Sequence, residues 1–130
     1  MTDARAAATR WADVWEHAWR TADIEAISAL YAEDAVFHSH PFRERQLPRA
    51  YVAWAFEGQA SAECRFGTPL VDGDRAAVDW WGVIVSKDAS VETIAGTSLL
   101  RFRTDGLVEE QLDVWAAEDG RVELPAWATS

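Results

Sequence analysis

Only one of the 130 residues is a cysteine, Cys64, so an intrachain disulfide is excluded, as is a zinc site built on several thiolates. Basic residues are also in short supply. Twelve Lys and Arg stand against twenty-two Asp and Glu, a formal charge of -10, and they are scattered along the chain. Binding to nucleic acid or to an anionic membrane surface needs clustered positive charge, so no nucleic-acid or membrane partner is expected. No run approaches the roughly 20 apolar residues of a membrane span. The opening "MTDARAAATRWADVW" is charged throughout and lacks the apolar core of a signal peptide, which leads us to expect a cytoplasmic protein. Repeats, low-complexity runs and interdomain linkers are missing too, so residues 1–130 are read as one domain.

What the chain does have is tryptophan, eight in all, within a 49% hydrophobic composition. Large aromatic side chains build either a core or the wall of an apolar pocket. Over residues 3–21, Trp11, Trp15 and Trp19 recur with alanines on one face of an amphipathic helix, charges lying opposite. Thr21 or Asp23 caps a second helix in which Ile24, Ile27, Leu30 and Tyr31 keep helical spacing to about Asp34. Ala35 to His40 read as a short strand ended by Pro41, and "LPRAYVAWAFEG" as a third helix with Tyr51, Trp54 and Ala55 on its apolar face. From Glu63 the pattern changes to four strands, "AECRFGTPLV", "RAAVDWWGVIV", "VETIAGTSLLRFR" and "LVEEQLDVWAAE", separated by short turns such as Asp72-Gly73-Asp74. Three helices before an antiparallel meander imply an α+β fold, the helices packed on one face of a curved sheet.

This order of elements, with "ADIEAISALYAEDAVF" across the second helix and first strand and a closing "DG…DVW", resembles the nuclear transport factor 2-like superfamily over about Thr9 to Trp115. The superfamily includes ketosteroid isomerase and the SnoaL-type polyketide cyclases, and the resemblance implies a cone-shaped α+β barrel around a pocket. The three groups by which the isomerases work are replaced here, at Trp15, Ser39 and Ser98. By this match the chain is not a ketosteroid isomerase of the usual kind, since a serine without a partner is no base at neutral pH. Pocket positions implied by the resemblance fall on Trp15, Trp19, Trp80, Gln111, Asp113 and Trp115, to which Ser39, Trp54 and Ser98 are added as substrate-binding residues. Strand alternation agrees that Gln111, Asp113 and Trp115 share a face.

Asp113 among tryptophans would be desolvated, its pKa raised toward neutrality, and the late-strand carboxylate of SnoaL-type cyclases is an analogy for its use in proton transfer. The competing reading has it at solvent or paired with an arginine. On the first strand His38 and His40 share a face opposite Phe37 and Ser39, which sends the histidines outward; a one-residue bulge before Pro41 would turn His40 inward, as a proton relay with Asp113. His-x-His with Asp113 or Glu110 is a conceivable metal set, but its spacing carries little weight, and neither metal nor cofactor is expected. The mixed-charge stretch Phe42 to Arg49 reads as a loop able to cover the pocket. Trp81, on the other side of the sheet, suggests a homodimer through that face. The function expected is binding of a hydrophobic small molecule with isomerase, cyclase, dehydratase or hydrolase chemistry; the alternative is a non-catalytic ligand-binding or protein-interaction module.

Overall fold

The computed structural model describes residues 3–126. The elements run α1 (Ala4–Thr21), α2 (Ile24–Ser28), β1 (Tyr31–His38), α3 (Pro48–Glu57), β2 (Gln59–Phe66), β3 (Leu70–Asp72), β4 (Arg75–Ser86), β5 (Val91–Phe102) and β6 (Val108–Asp119). Asp3 caps α1 by accepting from the Ala6 amide at 3.0 Å, and Asp23 caps α2 in the same way through Ala26. The α+β class and the three helices lying on a sheet are as expected from the pattern. No described helix is long and apolar enough to cross a membrane.

The sheet is open, ordered β1-β6-β5-β4-β2, with β3 also on β4. Its pairs are antiparallel except β1 with β6, which run parallel, so the sheet is mixed where a purely antiparallel one was expected. That pairing also corrects the first strand. Tyr31 stands opposite Val108, and the Val108 amide donates to Leu30 O at 2.9 Å, so sheet hydrogen bonds claim backbone whose side-chain spacing is helical. Helix α2 consequently ends at Ser28 rather than near Asp34, and β1 covers Tyr31–His38 rather than Ala35 to His40. The register irregularity of β1 lies between Tyr31 and Val36, not before Pro41. A second correction concerns Glu63 to Val71, which divides into β2 and β3 around Gly67-Thr68-Pro69, where Pro69 has no N–H for the ladder and Gly67 sits against Asp79.

Helix α1 lays Trp11, Trp15 and Trp19 on the inner face of the sheet. Trp19 meets Trp80 edge to face, centroids 5.9 Å apart, and its ring rests where a side chain on Gly82 would be, since a Cβ there would lie 2.8 Å from it. Trp11 meets Phe66 likewise at 5.6 Å. Such pairs add about 0.5–1.5 kcal/mol each beyond area burial. The remaining space between α1, α3 and the sheet is a cavity.

Candidate functional site

The cavity has a volume of about 700 Å³, and eight of the ten residues singled out from the sequence line it: Trp15, Trp19, Trp54, Trp80, Ser98, Gln111, Asp113 and Trp115. Ser39 and His40 do not. Ser39 is fully buried behind the wall, its carbonyl accepting from Trp115 Nε1 at 2.5 Å and its Oγ accepting from Arg43 at 3.1 Å. The parallel register sets Phe37 beside Gln111 on the inner face, with Ser39 continuing that alternation and His38 facing away. His38 Nδ1 lies 3.1 Å from Arg43 O. His40 packs its ring edge-on to Trp115 at 5.1 Å, and its Nδ1 accepts from the Phe42 amide. The inward turn of His40 and its contact with Asp113 therefore do not occur; the bonds of Asp113 go elsewhere. Among the described residues no three His, Cys, Asp or Glu side chains converge as a metal set, and Glu110 pairs with Arg101 instead.

Two hydrogen-bond chains converge on Asp113. In one, Trp80 Nε1 donates to Ser98 Oγ at 2.9 Å, and Ser98 Oγ donates to Asp113 Oδ1 at 2.6 Å. In the other, Trp11 and Trp15 both donate their indole N–H to the Tyr31 hydroxyl, at 3.2 and 3.0 Å. With its oxygen accepting twice, the Tyr31 proton must go on to an acceptor, Gln111 Oε1 at 2.5 Å. That fixes the amide: Gln111 Nε2 is left to donate to Asp113 Oδ1 at 2.9 Å. Both chains thus start at indole N–H groups, which can only donate, and end on the same carboxylate oxygen.

This polarity decides the chemistry of Asp113. Oδ1 already receives two protons in hydrogen bonds, so an added proton belongs on Oδ2, which takes part in neither chain. The residue is only 8% exposed, and burial raises its pKa to about 6 against the opposing pull of the Ser98 and Gln111 hydrogen bonds. The result is a carboxyl group that can give or take a proton near neutral pH.

Sequence reasoning passed over Tyr31 and Arg43. Tyr31 was absorbed into helical spacing, although its place next to Ala32 in the family-like stretch was a signal. Burial holds its phenol far above the ordinary range, so it stays a neutral relay. Arg43 lines the cavity from the loop after β1, its guanidinium 5.2 Å from the Trp115 ring centroid and 5.9 Å from that of Trp54. Tyr51, on the same wall, has its pKa raised by burial and by the charge of Asp113, with Arg43 opposing.

Among solved structures, SalBIII, described as an epoxide hydrolase/cyclase-like enzyme in pyran ring formation in the polyether salinomycin, superposes with a TM-score of 0.75 at 15% identity, over 89% of this chain and 95% of its own. An NTF2-like protein of unknown function from Exiguobacterium gives 0.69 at 22%, over 85% and 98%. At these identities the likeness is one of fold. A candidate ketosteroid isomerase from Kribbella flavida gives 0.64 at 28% identity, over 94% and 82%. No curated protein matches the chain. The SnoaL-like domain family matches residues 8–111, from within α1 to Gln111 of the converging network, and the chain belongs to that family.

Proposed function

We propose that this protein is an enzyme of proton transfer on a hydrophobic ring or carbonyl compound, of the isomerase, cyclase, dehydratase or hydrolase kind. The observation that carries this reading is Asp113: its Oδ1 is held by two directional chains, its Oδ2 is left free of them in a tryptophan-walled cavity, and its pKa is about 6. Fixed donors of this sort cost no reorganisation during reaction. Oδ2 would take a proton from the carbon beside a carbonyl, the C–H electron pair passing into an enolate. The proton then returns to the same or another carbon, so no oxidant or reductant enters. Tyr51, whose phenol remains protonated, is a cavity-lining hydroxyl able to donate to the enolate oxygen.

The test is exchange of the α-hydrogens of 2-tetralone in deuterated buffer. Wild type should accelerate exchange, with a rate that rises through a midpoint near pH 6. Asp113→Asn should fall to the buffer rate. Equal rates for the two proteins would leave the binding-module reading, which the position of His40 outside the cavity favours, since Asp113 then has no second imidazole partner.

We also propose a second copy of the chain as partner for the outer sheet face, where Leu99 and Val114 are 39% and 45% exposed and which also carries a half-buried Trp81. Sedimentation at micromolar concentration returning only monomer would remove that proposal. A cytoplasmic location is proposed too, on the support of a single cysteine that is buried as a free thiol.

A further inference from the structure

Arg43 is the basic residue of the cavity wall, and its setting is unlike that of the other arginines whose charge is matched. Arg20, Arg49, Arg101, Arg103 and Arg121 each face a carboxylate, whereas Arg43, like Arg5, Arg10, Arg45, Arg65 and Arg75, makes no ion pair among the described residues, and of these six it is the one that lines the cavity, in a chain where acidic groups outnumber basic ones by twenty-two to twelve. It is nevertheless positioned. One N–H is used on Ser39 Oγ and another on the Tyr51 hydroxyl, the guanidinium lies near two tryptophan rings, and one of those rings, Trp115, is itself tied to the Ser39 carbonyl. A guanidinium carries five N–H donors, so about three remain for a planar anion.

Of the three acids of the wall, Glu57 is one turn along α3 from Trp54, and the other two are further from Arg43's ring partners. Asp113 is two residues along β6 from Trp115, about 7 Å at the strand rise of ~3.3 Å per residue. Glu92 is four residues along β5 from Gly96, the partner of Trp115, or about 13 Å by the same rise, with Glu57 also on the wall. A ligand anion is thus repelled from those positions and attracted to Arg43.

We propose that Arg43 binds the carboxylate of the substrate, which is therefore a planar hydrophobic carboxylic acid lying along the tryptophan wall from Arg43 toward Asp113. This rests on the cavity of the proposed function and adds the class of compound that fills it. The acid group sets the orientation: with the carboxylate at Arg43, the carbon skeleton is laid against Oδ2 of Asp113.

The experiment is calorimetric titration of 2-naphthoate and of its neutral isostere 2-naphthamide at about pH 7.5, where the probe acid is ionised. Wild type should bind the acid at least about tenfold more tightly than the amide, as a charge-assisted paired hydrogen bond requires. Arg43→Met should abolish that preference while changing amide affinity by less than about threefold, and Arg43→Lys should restore part of it, because the ammonium keeps the charge without the fork. Equal affinity for the two probes in wild type, or a preference that survives in Arg43→Met, overturns the proposal. If the amide binds as well as the acid while tetralone exchange is intact, only the anchor fails; if neither probe binds and exchange is absent, the cavity reading fails with it.

Discussion

The two ends of the cavity are built on different principles. At the inner end, Trp11, Trp15, Tyr31, Gln111, Ser98 and Trp80 surround Asp113, and every donor has one permitted direction. At the mouth, the loop from Ser39 to Leu47 presents Phe42 at 93% exposure, and Trp54 stands 61% exposed across from Arg43. A buried polar network is stable only when fully satisfied, so the inner end tolerates little change. The mouth meets water, which replaces any partner it loses. The proposed proton transfer would use the first, and the proposed anion recognition the second.

The sharpest way to break that contrast is Tyr31→Phe. Removing one hydroxyl strands two indole N–H groups and leaves Gln111 Oε1 without its donor, all in buried surroundings. A loss of about 2–4 kcal/mol is expected in urea unfolding, since each unsatisfied buried group costs about 1–3 kcal/mol. A loss below about 1 kcal/mol would mean that water reaches the inner end and that the two ends do not differ in kind.

Asp113→Asn comes next, with the opposite sign. The folded carboxyl has a pKa of about 6 against an ordinary 3.8, so between those values the folded state holds more protons than the unfolded one. Stability therefore falls as pH rises through that window, and the penalty is complete above about pH 6. An asparagine can still accept from Ser98 and Gln111 without a buried charge. At pH 8 the variant should be the more stable by about 1–3 kcal/mol, and the gap should close toward pH 4. Thermal or urea unfolding at the two pH values reads this directly; a variant less stable at pH 8 would show that the hydrogen bonds outweigh desolvation.

The same contrast explains what the sequence made readable. Gln111, Asp113 and Trp115 could be placed on one face because β6 alternates with period two, and Trp11, Trp15 and Trp19 because α1 repeats with period 3.6. Both are local rules acting on buried faces. Tyr31 broke them, since its spacing after Ile24 and Ile27 is helical while its backbone is taken by Val108, 77 residues away. Non-local pairing of that kind leaves no periodic trace. Arg43 and His40 sit in a loop with no period at all, so their positions follow from packing against Trp115, which only the assembled sheet provides.

The smallest effect is expected at His40, and it tests the boundary between the two ends. His40→Ala removes an edge contact with Trp115 and an acceptor for the Phe42 amide, which solvent can replace at the exposed loop. Stability should change by no more than about 0.5 kcal/mol, as for most surface positions. The pH midpoint of tetralone exchange should also stay near 6, because the bonds of Asp113 reach Ser98 and Gln111 and not the imidazole. A midpoint displaced by the substitution would place His40 in electrical contact with the carboxylate. The proton-handling site would then extend to the mouth, and the separation of fixed chemistry from exposed recognition would have to be given up.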